Sequence, residues 1–253
     1  MGSLFPGLPI FSAFSGRSHI IFEALNRYGI WNKDLNFKMI SRDLTIQNVR
    51  LDVNAYLVPR FSNLIGRGFR LKVKTGQSIK ELFCGQLGIS EDYFDNRIQT
   101  IFLDGKAVDR TNTAWIENGS RLALSAAMPG LVGATFRKGG RYASFRGTIS
   151  YAESKKTIPN SEGEITLKFF NMIAKELGPA FLQKGIIIAG ERFQDFVQRN
   201  AEDLKAGCNS IHLNDAKADA DGLLNTNWEN TEIFLQVTSK KLSGPSINQT
   251  AIS

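Results

Sequence analysis

Residues 118–134 read NGSRLALSAAMPGLVGA. An Asn-Gly-Ser turn opens into RLALS, where Leu122 and Leu124 alternate with Arg121 and Ala123, as a half-buried strand requires. The strand then runs into Pro129 and into glycines at 130 and 133. The meaning of this stretch depends on what it closes and on what it opens.

Upstream, VRLDVNAYL from Val49 alternates apolar and polar residues, and so does FRLKVK from Phe69. Both are expected to be half-buried strands, joined by PRFSNLIGRG as a loop. Ser78-Ile79-Lys80-Glu81 has the form of a capping box. Ile79, Leu82, Phe83 and Leu87 follow at helical spacing, and Gly88 can end that helix. IQTIFLDGKAVD predicts a strand and an Asp104-Gly105 hairpin turn. Two strands, a helix and further strands within this span form the order of a β-grasp, the ubiquitin-like fold, and the spacing alone also fits other small α+β folds.

Over residues 49–134 the chain resembles the small sulfur-carrying subunit of molybdopterin synthase and its thiamine-biosynthesis relative. In that family the last strand follows an acidic-Gly turn and runs through proline to a terminal Gly-Gly. Here Pro129 falls at the proline, and Gly133-Ala134 stand where Gly-Gly would end the chain. The resemblance implies a partner that adenylates the tail and a sulfur donor that converts it to a thiocarboxylate. That chemistry needs a free, slender C-terminus, whereas Ala134 is internal. The expectation is therefore an intact, non-catalytic relative that acts through protein contacts and carries no activated sulfur. Cleavage after Ala134 or Gly140 is the alternative that would restore the carrier role.

Downstream, GEITLKFF predicts a strand, followed by a long loop, the short strand GIIIA and a helix carrying Phe193, Phe196 and Val197. These features follow the first half at nearly constant offset. Val49 answers to Ile165, Gly68 to Gly185, and Ile79, Leu82 and Phe83 to Phe193, Phe196 and Val197. Ile101–Asp104 answers to Ile211–Asn214, and Glu117-Asn118 to Glu229-Asn230. The pattern predicts an internal duplication. The expected fold is α+β: two tandem β-grasp domains (49–134 and 164–240), a Gly-rich basic connector (135–163), an N-terminal extension (1–48) and a disordered tail (241–253). The extension holds an amphipathic helix through Ile20, Ile21, Ala24, Leu25 and Tyr28.

Composition sets the outer limits. The net charge of +7 is concentrated in residues 61–150, with 13 Lys+Arg against 7 Asp+Glu, while residues 151–253 carry 11 against 13. A local surplus points to one anionic partner. No apolar run approaches the ~18 residues needed to span a bilayer, so no membrane partner is expected. The apolar N-terminus lacks a basic leader region and is broken by Pro6 and Pro9. Cys84 and Cys208 give neither a disulfide framework nor metal spacing, which favours the cytoplasm.

Catalytic motifs are not legible. Cys84 lies off the apolar face of its helix, and His19 and His212 read as structural. HLNDAKADADG would place Lys217 and Trp228 at ligand positions of a calcium loop, which a cation cannot use, so an acidic surface loop is expected. No catalytic residue, metal or cofactor is assigned. The connector MPGLVGATFRKGGRYASFRG remains, in a region without an acidic residue between Glu117 and Glu153. Arg137, Lys138, Arg141 and Arg146, interleaved with Phe136, Tyr142 and Phe145, make a candidate anion site for RNA or another polyanion. The same residues also fit a β-hairpin turning at Lys138-Gly139-Gly140.

Overall fold

Strand β1 (Ile46–Val53) keeps the expected alternation, with Val49, Leu51 and Val53 buried and Asn48 and Arg50 exposed. This computed structural model describes residues 45–152 and 159–240. The expected N-terminal helix, His19 and the tail 241–253 lie outside the described residues. After β1, a 3₁₀ turn (Ala55–Phe61) leads into α1 (Ser62–Arg67) and β2 (Phe69–Thr75). A π-helical segment (Glu81–Gln86), α2 (Glu91–Arg97), β3 (Thr100–Leu103), β4 (Lys106–Ala107) and β5 (Arg121–Ser125) complete the first half. The connector holds α3 (Gly130–Phe136) and a 3₁₀ helix (Ala143–Ile149). The second half comprises β6 (Ser161–Phe170), α4 (Asn171–Lys184), β7 (Ile186–Ala189), α5 (Gly190–Arg199), α6 (Ala201–Gly207), β8 (Cys208–Leu213), β9 (Ala216–Ala218), α7 (Ala220–Asn225) and β10 (Glu232–Thr238).

The capping box forms as its residues require. Glu81 N donates to Ser78 Oγ (3.2 Å), and Ser78 N donates to Glu81 Oε2 (2.7 Å). Ile79, Leu82, Phe83 and Leu87 are all fully buried, and Gly88 takes a positive φ of 74° at the helix end.

All ten strands join one mixed sheet in the order β4-β3-β5-β6-β2-β7-β10-β1-β8-β9. The described residues lie in a single compact unit, not in two separate domains. The reason is an exchange of strands. β6 of the second half lies between β5 (parallel) and β2 (antiparallel) of the first. β1 of the first half lies between β10 (parallel) and β8 (antiparallel) of the second. At the seam between the two exchanged groups of strands, β2 and β7 are joined by one register pair, Arg70 with Ile187.

This exchange also explains two loops that turn out to be helices. β1 and β2 run parallel and are not neighbours, and the same is true of β6 and β7. A tight hairpin cannot make such a connection, whereas a helical crossover can. PRFSNLIGRG therefore carries α1, whose Leu64 and Ile65 join Leu57 and Phe61 in the core. The stretch after Phe170 is α4, with Ile173, Leu177, Phe181 and Leu182 buried in spite of Gly178 and Pro179. Phe181 packs against Phe69 and Phe169, with ring centroids 5.6 and 5.0 Å away. Each fully buried side chain of this kind contributes about 1.5–3 kcal/mol.

The positions that answer to one another in sequence also share backbone conformation. Gly68 has φ 104° and ψ 141°, and Gly185 has φ 107° and ψ 139°, each just before a strand. The β3–β4 turn places Asp104 and Gly105 at φ 50° and 82°, and the β8–β9 turn places Asn214 and Asp215 at 48° and 70°. The halves differ in the order of their central strands. The last strand, β5, sits next to β3 in the first half, whereas β10 sits next to β7 in the second.

Gly185 is constrained twice, by its positive φ and by the Phe234 ring, which a Cβ would meet at 2.1 Å. At Gly68 a Cβ would meet the flexible Lys168 side chain at 3.0 Å and the Thr166 methyl at 3.4 Å. Gly185→Ala should cost about 2–5 kcal/mol and Gly68→Ala about 1–3 kcal/mol in urea unfolding. Equal losses would show that the ring does not constrain position 185.

Candidate functional site

The strands bury Leu71, Val73, Ile165, Leu167, Ile233 and Leu235 on the face that α4 covers and turn the alternate residues outward. Register aligns the outward residues into a row across the sheet. Asn48 stands opposite Phe234, Phe234 opposite Ile187, Ile187 opposite Arg70, Arg70 opposite Thr166, and Thr166 opposite Arg121. Lys72, Lys74 and Lys168 flank this row on the same face, and Arg50, His212 and Lys217 extend it at the other end.

Where the halves meet, the row dips into a groove of ≈ 320 Å³ lined by Ile46, Asn48, Arg70, Leu71, Lys72, Gly185, Ile187 and Phe234. The Phe234 ring lies directly over Gly185. Arg70 is held by two carboxylates, Glu164 at 2.9 Å and Glu232 on the other side. Among the described residues, Lys72, Lys74 and Lys168 form no ion pair. The groove thus offers an aromatic ring for stacking, a side-chain amide and a rim of lysines, two of which, Lys72 and Lys74, stand in register with Glu164 and Glu162.

The connector is built differently from the expected hairpin. Between its contacts with the sheet it is helical, its backbone closing on itself: Gly140 N donates to Arg137 O (3.0 Å) and Ala143 N to Gly140 O (3.0 Å). Pro129 is the N-cap of α3, and Ala134 lies within that helix. Gly133 is buried, and a Cβ there would lie 2.0 Å from the Met128 carbonyl oxygen. Of the tail-equivalent residues, Gly133 is thus packed into the fold, Ala134 is half-buried and Pro129 is exposed.

The four basic residues of the connector do not form one cluster. Arg137 and Arg141 are exposed. Lys138 turns inward, its Nζ donating to the Phe94 carbonyl (3.3 Å) at the end of α2 and lying 5.0 Å from the Phe94 ring centroid. Burial lowers its pKa from the usual lysine value. Arg146 is 3% exposed and pairs with Asp109, which also accepts from Gly139 N (2.8 Å). Ser150 bridges to Ala107, and Tyr151 N donates to its carbonyl (2.8 Å). The connector thus covers the β4 edge, where unpaired strand groups would otherwise invite a second chain. Sequence spacing cannot reveal this duty, because Asp109 lies far from Arg146 in the chain.

Cys84 lies in a second, open cleft of ≈ 790 Å³ with Lys80, Glu81, Gln86, Glu91, Trp115 and Asn160. Lys80 is held by Glu91 (2.8 Å) and Asp95 (3.1 Å), which keep its ammonium above the ordinary pKa. Burial pushes the Cys84 thiol up, against the opposing pull of Lys80. A thiol raised in this way is a poorer nucleophile at neutral pH. The stretch read as an acidic loop forms the β8–β9 turn and the start of α7, where Asp219 caps the helix by accepting from Gly222 N (2.7 Å).

Compared with known proteins, the chain matches no protein-family model, no curated protein and no solved structure.

Two outcomes follow from these contacts. Asp109→Asn leaves the buried Arg146 guanidinium without its charge partner. It should cost about 3 kcal/mol in urea unfolding and open the connector to trypsin at Arg141. On a Cys208→Ser background, alkylation of Cys84 at pH 8 should be slower than that of free cysteine. The rate should still be rising with pH where free cysteine has levelled off; a plateau at or below the free-cysteine pH would contradict the burial.

Proposed function

We propose that this chain is a non-catalytic binding protein of two interlocked β-grasp-like halves, whose outward sheet face takes up a single-stranded polyanion, RNA foremost. The β-grasp part of this reading is supported by the order β2-β6-β5-β3-β4, with a capped helical segment following β2 and β6 standing in for the first strand. The shared φ values at Gly68 and Gly185 and at the two hairpin turns support descent of both halves from one unit. The cytoplasm is the proposed compartment, since Cys84 and Cys208 are both free thiols.

One observation carries the ligand class: the groove at the seam sets Phe234 beside Arg70 and Lys72, with Lys74 and Lys168 on the same face. A ring that lies against a sheet gives any base a stacking surface, and ammonium groups along it track phosphates without regard to sequence. Lys72 and Lys74 stand across from Glu164 and Glu162 without forming ion pairs with them, so their ammonium groups are free to reach a phosphate. The carrier reading is less well supported. Cleavage after Ala134 or Gly140 would detach β6, a central strand, from the half it completes.

Binding of a short single-stranded RNA, followed by fluorescence anisotropy, tests this. With about three phosphates neutralised, affinity should fall roughly twentyfold between about 50 and 200 mM salt. Lys72→Ser with Lys74→Ser and Lys168→Ser should flatten that slope, and Phe234→Leu should cost about 1–3 kcal/mol at either salt concentration. Binding indifferent to salt and to both variants would sink the proposal. A stable complex with an adenylating enzyme would then favour protein contacts.

A further inference from the structure

The connector's inward duties fall to Phe136, which lies 5.2 Å from Phe102 between ring centroids, and to Gly133, Lys138 and Arg146. None of them accounts for its outward residues. Leu131 is 73% exposed, Val132 67% and Phe145 78%, and Tyr142 and Ile149 are exposed as well. Tyr142 and Phe145 lie together, with ring centroids 6.0 Å apart. Two more exposed apolar side chains, Phe170 and Met172, stand where β6 passes into α4. Phe170 is the register partner of Ser125, the last residue of β5 before the chain enters the connector. Most of the exposed large apolar side chains among the described residues therefore belong to the connector, with Phe170 and Met172 in addition.

The carboxylates that approach them are already engaged, Asp109 by Arg146 and Asp95 by Lys80. Arg137, Arg141 and Lys175 are exposed, and no Asp or Glu occurs from position 118 to position 152. Aliphatic side chains such as Leu131 and Val132 give a nucleic-acid base nothing to stack on. Apolar tips interleaved with arginines instead match the boundary between acyl chains and anionic headgroups. The expectation of no membrane partner rests on span length, and an interfacial contact needs no spanning helix.

We propose that the connector is an interfacial anchor. It lays Leu131, Val132 and Phe145 into the headgroup boundary of an anionic phospholipid bilayer, with Arg137 and Arg141 against lipid phosphates. The surface shares no residue with the groove at the seam, so it stands or falls independently of RNA binding.

The test is co-sedimentation of the full chain with phosphatidylcholine vesicles made with and without phosphatidylserine. Binding should require phosphatidylserine and weaken as salt is raised. The triple variant Leu131→Ser, Val132→Ser, Phe145→Ser should lose roughly tenfold or more of the binding. Arg137→Ser and Arg141→Ser should each lose about fivefold. All of these positions are exposed, so circular dichroism and RNA affinity should match those of the parent chain. Equal sedimentation with both vesicle types, or full binding by the triple variant, would overturn the proposal. So would a loss of RNA binding or of self-association in the triple variant without any loss of vesicle binding, which would assign the patch to another partner.

Discussion

Asn118 Oδ1 accepts the Glu164 amide at 2.8 Å, and Gly119 N donates to the Glu164 carbonyl at 2.7 Å. From that clasp the parallel ladder of β5 and β6 runs from Arg121–Thr166 to Ser125–Phe170. The rest of the architecture depends on this pairing. It commits β6 to the first half, so the chain must cross back over the sheet through α4 to reach β7. The mirror commitment of β1 to β10 and β8 makes α1 necessary for the same reason. Neither half can be cut away without removing a central strand of the other. Cohesion therefore does not rest on the single pair between β2 and β7.

The exchange also shapes the surface. A sheet covered on one face by crossover helices leaves the other face to solvent, and register then decides which side chains meet there. Arg70 becomes the hinge of the charge pattern because it forms the single pair between β2 and β7 and is neutralised by Glu164 of β6 on one side and Glu232 of β10 on the other. Glu164 is thereby engaged by Arg70, although it stands in register with Lys72. The same seam gives Phe234 room to lie flat, since Gly185 has no side chain to lift the ring.

The connector divides its work between two sides. Its inner side seals the β4 edge through Arg146, Asp109 and the Ser150 bridge, which are the contacts that a polar turn needs when it closes over a strand edge. Its outer side presents apolar and basic residues together. Sealing the edge does not require Leu131 or Phe145, which take no part in those contacts.

Local chemistry in the sequence was enough to determine several features. The alternation in β1, β2 and β5, the Ser78–Glu81 capping box, the Asp104-Gly105 turn and the paired positions Gly68 and Gly185 all depend on neighbours within a few residues. Period, cap and turn preference act at that range. The tertiary structure alone decided which strands pair, and with that whether residues 62–67 and 171–184 must be helices. Backbone ladders carry no label for their partner, and a strand with one apolar face fits any neighbour that continues the core. It also decided which of four similar basic residues turn inward, since Arg146 and Lys138 differ from Arg137 and Arg141 only by what stands across from them: Asp109 and the carbonyl end of α2. Likewise, the groove at the seam unites residues from four strands drawn from both halves, a proximity created by the exchange that no spacing along the chain encodes.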